Sequence, residues 1–206
     1  MTATKTEFVK HFPDAVAMGD AGLFLGADFS QPAGLVNWRD LLRDIANDLG
    51  LDVDKETDLI AIAQYHLNTE KNRARLNKAV IDEFVKTAQP TENHELVARL
   101  PIRTYWTTNH DTLIEDSLRG ADRVVDAKIS SENMATSIRG SDAVVCKMHG
   151  DVSQPQDAVI TKDDYERYDS KRTLFSEKLK GDLIGNSFCF IGFSFTDPNI
   201  DFDAEE

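Results

Sequence analysis

The chain has 206 residues, of which 41% are hydrophobic and 29% charged, a length and composition that suit one globular domain able to bury a sizeable core. Its formal net charge of -13 excludes a nucleic-acid surface, since a phosphate backbone needs clustered Lys and Arg. No apolar run nears the roughly 18 residues that cross a bilayer, and the polar start Met1 to Lys10 lacks the apolar core of a signal peptide, so a cytoplasmic protein with no membrane partner is expected.

In chain order, residues 5–19 pattern as a helix, with Phe8, Val9, Phe12, Ala15 and Val16 at helical spacing. Gly22-Leu23-Phe24-Leu25-Gly26 reads as a buried strand feeding a tight turn. From Trp38 to about Lys86 the pattern is helical only. Leu41, Leu42, Ile45 and Leu49 form one stripe, stopped by Gly50; Leu59, Ile60, Ala63 and Leu67 form a second; Leu76, Val80, Ile81 and Phe84 form a third. No flexible linker flanks this stretch, so it is read as a helical layer inserted into one domain covering 1–206, with the insertion at about 38–90. The basic residues Lys71, Arg73, Arg75 and Lys78 read as a solvated helix face. A fourth helix runs from about Asn93 to Leu100, before Pro101.

Strands and helices then alternate. Strands are expected at Thr104–Thr107, Arg123–Asp126, Ala143–Met148, Ala158–Thr161 and Phe188–Ile191, with helices at about Thr112–Leu118 and Lys171–Leu183. Alternation with nearly continuous apolar strands signals an α/β, Rossmann-like parallel sheet with helices on both faces. Cys146 and Cys189 each sit in an apolar segment and read as buried structural thiols.

Ligands of such sheets bind beyond the C-terminal ends of the strands. Four of these ends are rich in glycine or polar residues: Gly26-Ala27-Asp28-Phe29-Ser30, Thr107-Thr108-Asn109-His110-Asp111, Met148-His149-Gly150-Asp151, and Gly192-Phe193-Ser194-Phe195-Thr196-Asp197-Pro198-Asn199. In this order they resemble the sirtuin pattern Gly-Ala-Gly-x-Ser, Asn-x-Asp, His-Gly and Gly-x-Ser. More narrowly, Thr107–Asp111, Lys147–Asp151, Val159–Tyr165 and Gly192–Asn199 are similar to the bacterial sirtuin-like NAD hydrolases, in particular the effector family of the Thoeris antiphage system. The resemblance runs over nearly the whole chain.

It implies an NAD glycohydrolase that cleaves NAD, its substrate, to nicotinamide and ADP-ribose as an abortive-infection effector. Asn109 would engage ribose hydroxyls or the attacking water; as a structural residue it would form a turn on its own backbone. Asp111 matches the position that engages the nicotinamide carboxamide, and would equally suit an N-cap for the next helix. His149 would act as general base, an imidazole being suited to proton transfer near neutral pH; otherwise it is a core histidine bonded to backbone. Gly192 and Ser194 would contact ribose and phosphate, or form a structural turn. Gly26, Ala27, position 28 and Ser30 would cradle the pyrophosphate. His11, His66 and His94 lie on expected helices and carry no assigned chemistry, and Asp197 suits either a turn cap or a binding role. Two cysteines cannot form the four-cysteine zinc site of classical deacylases, so no metal is expected. A homo-oligomer is implied, as is a phage-derived or small-molecule activator acting through a region outside this chain.

Three departures from the pattern stand out. The second glycine of Gly-Ala-Gly-x-Ser is Asp28, which places a negative charge beside the expected pyrophosphate. Two unit charges about 5 Å apart, at an effective dielectric of roughly 20, repel by about 3 kcal/mol, or about a hundredfold in affinity. His110 stands where the family usually has an aromatic residue such as tyrosine. The acidic end Asp201–Glu206 replaces the family's further helix and strand, so an open sheet edge and an incomplete adenosine pocket are expected. Set beside NAD hydrolysis are an impaired or non-catalytic NAD-binding module and, without the zinc cysteines, an NAD-dependent deacylase.

Overall fold

A computed structural model of the chain describes residues 4–85 and 88–195. In chain order the elements are α1 (Lys5–Met18), β1 (Ala21–Leu25), α2 (Ala27–Ser30), α3 (Trp38–Leu41), α4 (Arg43–Asp48), α5 (Leu59–Glu70), α6 (Ala74–Phe84), α7 (Glu92–Arg99), β2 (Thr104–Thr107), α8 (Leu113–Gly120), β3 (Val125–Lys128), α9 (Ser131–Met134), β4 (Ala143–Lys147), α10 (Lys162–Glu166), α11 (Tyr168–Lys171), α12 (Thr173–Gly185) and β5 (Ser187–Ile191).

The five strands form one parallel sheet in the order β3-β4-β2-β1-β5. Side chains alternate across a strand, so the inner strands feed two cores. Leu23, Leu25, Tyr105 and Val145 point to one core, shared with Val97 and Ala98 of α7 and Ile114 and Leu118 of α8. Phe24, Trp106 and Cys146 point to the other, shared with Tyr168 of α11 and Phe175 and Leu179 of α12. This is the expected α/β, Rossmann-like architecture, with helices on both faces.

The helical stretch has a third core of its own, built on Leu42, Ile45, Ile62, Ala63, Leu76 and Val80. Ile62 takes the buried place expected of Ile60, and Ile81 is exposed. This core includes Ala158 and Ile160, which corrects the expected strand Ala158–Thr161. That run is buried but irregular: it packs against helices and pairs with no strand, and a short apolar run carries no period that distinguishes the two fates. Arg73 secures the junction, donating to the Ala158 carbonyl at 2.8 Å and to the Asp164 carboxylate at 2.7 Å. Arg73 thereby departs from the solvated basic face expected of it, because its guanidinium is drawn into this junction, whereas Arg75 and Lys78 pair with Asp48 and Asp82 on the surface.

A second correction concerns β3, which starts at Val125 where Arg123 was expected to begin it. Arg123 serves instead as a hub, donating to the carbonyls of Leu100 and Asp142 at 3.1 and 2.8 Å and to the Tyr105 hydroxyl at 2.9 Å. Cys146 is fully buried, and Cys189 on β5 is half-buried. No described helix is long and apolar enough to cross a membrane.

Candidate functional site

The turns that follow β1 and β5 lie backbone against backbone. Gly26 N donates to Ile191 O at 2.9 Å, and Asp28 N to Gly192 O at 3.2 Å. A Cβ on Gly26 would stand 2.2 Å from Gly192 O; one on Gly192, whose φ is +64°, would stand 2.5 Å from Phe29 N. Both glycines are therefore required by the mutual approach of two turns, where the sequence suggested approach of a dinucleotide. Phe29 N is also committed, to Gly26 O at 3.0 Å. The first turn of α2 thus spends N–H groups on protein carbonyls, and Ser30 supplies a hydroxyl in their place.

Asn109 follows β2 and is buried. Its backbone N–H donates to Thr107 Oγ1 at 2.9 Å, and that hydroxyl donates to Leu25 O at 2.7 Å. The side-chain Nδ2 donates to Gly26 O and to Ser30 Oγ, both at 3.0 Å. With both amide protons engaged, Asn109 Oδ1 is the end suited to a ligand, and Ser30, accepting from Asn109, keeps its own proton to donate.

Thr112, not Asp111, is the N-cap of α8, which corrects the capping expectation; Asp111 stands one residue earlier, and its Oδ1 accepts from Leu113 N at 3.0 Å. The other carboxylate oxygen, Oδ2, is buried with no hydrogen-bond partner among the described residues. The two oxygens of this carboxylate are thus differently placed, one bonded to backbone and one unpaired. A buried acceptor left unpaired costs about 1–3 kcal/mol, so this oxygen favours a donor brought by a ligand.

His149 follows β4, is buried, and meets Tyr165 and Tyr168 edge-on with ring centroids 5.4 and 6.2 Å apart. His110 is buried against Phe84, with ring centroids 5.5 Å apart. Burial, together with His149 and Lys147 beside it, pushes the His110 pKa down to about 3, so its ring is neutral at physiological pH.

Behind these groups lies a fully buried lysine. Lys147 Nζ contacts the carboxylates of Asp151 and, at 3.2 Å, Glu115, and donates to the backbone carbonyls of His110, at 3.2 Å, and Asp111. Burial disfavours its charge, but Glu115 and Asp151 outweigh that and hold the ammonium above its ordinary pKa. Burial likewise acts to raise Asp151, but Lys147 and the hydrogen bonds from Ser153 prevail and hold it low. Glu115 moves the other way, raised by burial.

Most of the expected site residues meet at one cleft of about 430 Å³ beyond the C-terminal ends of the strands. Ala27, Asp28, Ser30, Asn109, Asp111 and His149 line it, as do Gly192 and Ser194, with Gly26 buried just behind. Asp28 is exposed and on the lining. Asp197 lies outside the described residues. His66 and His94 are buried away from the lining, and His11 is exposed. The helical layer contributes a wall that includes Trp38, Asp58, Ile60 and Phe84, and Tyr165 comes from α10. Sequence patterning missed these wall residues because it assigned their apolar members to the helical core. Among the described residues no three His, Cys, Asp or Glu side chains are grouped to hold a metal ion.

A parallel sheet whose strand ends carry Asn-x-Asp, His-Gly and Gly-x-Ser turns around one cleft defines a sirtuin-type α/β fold. The family model of the SIR2-like domain matches residues 103–205, and the chain belongs to that family. It is 48% identical over 196 residues to "NAD(+) hydrolase ThsA" of Bacillus cereus (strain MSX-D12), covering 95% of this chain and 41% of that protein. It is also 48% identical over 180 residues to the protein of the same name from Acinetobacter baumannii (strain 532279), covering 87% of this chain and 37% of the relative. "Defense-associated sirtuin 2" of Bacillus subtilis is 23% identical over 202 residues, covering 94% of this chain and 20% of that protein. The chain thus spans about two fifths of the length of the two hydrolases it matches.

Proposed function

We propose that the chain is the NAD-cleaving domain of an antiphage effector, releasing nicotinamide and ADP-ribose. The observation that carries this is the convergence of Asn109, Asp111 and His149 on one cleft with the turns after β1 and β5. The names of the hydrolase relatives point to the same substrate.

The bond between ribose C1′ and the nicotinamide nitrogen breaks, and its electron pair leaves with nicotinamide. The ribose becomes oxocarbenium-like, so catalysis consists of holding the ring and delivering a nucleophile. Asn109 Oδ1 accepts from a ribose hydroxyl or the attacking water. His149 takes the proton released as water bonds to C1′. Asp111 Oδ2 accepts from the nicotinamide carboxamide. Ser30 and Ser194 offer neutral donors to phosphate or ribose, with Gly26, Ala27 and Gly192 shaping the turns. Asp28 occupies the same rim with a negative charge, which favours a second reading: a site whose NAD affinity is impaired. Deacylation remains the lesser alternative.

The reading treats residues 1–206 as one domain with an inserted helical layer, supported by the docking of that layer on Ala158 and Ile160. Assembly into a homo-oligomer, switching by a phage-derived or small-molecule activator, and action in the cytoplasm rest on the resemblance to antiphage effectors.

The test is incubation of the purified chain with NAD while nicotinamide and ADP-ribose are followed. His149→Ala and Asn109→Ala should each reduce release by about a hundredfold or more. Dependence on an acetylated peptide would identify a deacylase. Silence in a folded parent that Asp28→Gly relieves would mark an impaired site, and silence in both would refute hydrolysis.

A further inference from the structure

The group at the strand ends that the proposed chemistry does not use is Lys147. Its side chain is 0% exposed, a state reached by a lysine only when every donor is matched, because an ammonium taken out of water loses hydration worth far more than one hydrogen bond returns. Four acceptors surround it: the carbonyls of His110 and Asp111, and the carboxylates of Asp151 and Glu115. They come from three places. His110 and Asp111 belong to the turn after β2, which also carries Asn109. Asp151 belongs to the turn after β4, which also carries His149. Glu115 sits on the first turn of α8, whose first residue, Leu113, donates its N–H to Asp111.

We infer that Lys147 is a positioning residue, a buried cation that fixes the Asn109–Asp111 turn against the His149–Asp151 turn and so sets the geometry between the ligand-holding groups and the base. Backbone contacts around it agree. Val152 N donates to His110 O at 3.0 Å, so the carbonyl that binds the ammonium also binds the opposite turn directly. Asp151 Oδ1 accepts from Ser153 N at 2.8 Å, which folds that turn so that the other oxygen faces Lys147. Lys147 itself lies outside the cleft lining, so its part is exerted through the two turns and not on the ligand. A misplacement of about 1 Å at a reacting centre can cost about a hundredfold in rate. This inference rests on the NAD-cleaving reading.

The deciding variant is Asp151→Asn. It preserves size and the acceptor used by Ser153 while removing the charge that joins Lys147 to the His149 turn. Lys147→Met/Glu115→Gln complements it, deleting the cation together with a carboxylate that would otherwise be stranded. Each is compared with the parent for thermal melting, for ADP-ribose affinity and for nicotinamide release. Asp151→Asn should melt as a folded protein, bind ADP-ribose within about threefold of the parent, and release nicotinamide at least tenfold more slowly in kcat; the double variant, where folded, should lose more. An unchanged kcat in folded Asp151→Asn would overturn the positioning role alone. So would a variant that does not fold, since the network would then hold the fold and not the site. A loss confined to KM would overturn it too. A parent that releases no nicotinamide, with or without Asp28→Gly, would instead remove the NAD-cleaving reading and the positioning role with it.

Discussion

The Thr107 hydroxyl stands between β1 and the Asn109 turn, donating to Leu25 O at 2.7 Å and accepting from Asn109 N at 2.9 Å. One buried side chain thereby satisfies a strand-end carbonyl and fixes the backbone of a candidate catalytic residue. Thr107→Val keeps the shape but leaves both partners unsatisfied, at a cost of about 1–3 kcal/mol for each such buried group. Differential scanning calorimetry should show Tm lowered by several degrees, with nicotinamide release reduced in the fraction that stays folded.

Gly26→Ala is expected to be more damaging than its single added carbon suggests. The methyl would meet Gly192 O at 2.2 Å and Phe193 Cα at 2.6 Å, both backbone atoms with no rotamer to yield. Forced overpacking of this kind costs about 1–3 kcal/mol, and relief requires the turns after β1 and β5 to part. Urea unfolding should report the loss, and ADP-ribose affinity should fall as Ser30 moves. A stable Gly26→Ala protein with parental affinity would show that the turns are not locked together.

Asp28→Asn separates charge from shape at the rim of the cleft. If pyrophosphate lies against α2, removing one negative charge strengthens ADP-ribose binding by as much as about a hundredfold, and the gain shrinks as salt rises because the position is exposed. Titration calorimetry at two salt concentrations measures both effects. Nicotinamide, which carries no phosphate, should bind the two forms alike.

His110 makes stability depend on acidity. Its folded pKa of about 3 lies below the unfolded value of about 6.5, so on acidification the unfolded chain takes up a proton that the folded chain refuses. The stability it contributes is complete above pH 6.5 and is lost as pH falls towards 3, at about 1.4 kcal/mol per pH unit within that window. His110→Phe, which retains a ring against Phe84, should flatten the decline in Tm between pH 6.5 and 5. An equally steep decline in the variant would assign the effect elsewhere, His94 being the next candidate because burial lowers its pKa as well.

Much of this site is legible in sequence because its chemistry sits where strands end. An apolar run such as Leu23–Leu25 or Phe188–Ile191, broken by glycine or by polar residues, marks both a core strand and the turn above it. The same logic misleads at Ala158–Thr161, where an apolar run is buried by helices; composition reports burial, not the partner that causes it. Lys147 is illegible for a different reason. A lysine at the end of a strand ordinarily reaches solvent, and only the fold brings Glu115 and Asp151 around it. The wall formed by Trp38, Ile60 and Phe84 escapes for a third reason, since one amphipathic helix can serve its own core and a cleft at once.

That wall has a consequence for how the protein can change. The helical layer packs on its own core and meets the sheet region through Arg73, Ala158 and Ile160, whereas Asn109, His149 and the two glycine turns are anchored to the strands. One wall of the cleft is thus supplied by a stretch of chain separate from the strand-end turns. Ile60 can therefore vary the outline of the cleft without touching the strand-end turns, whereas Phe84, packed on His110, cannot.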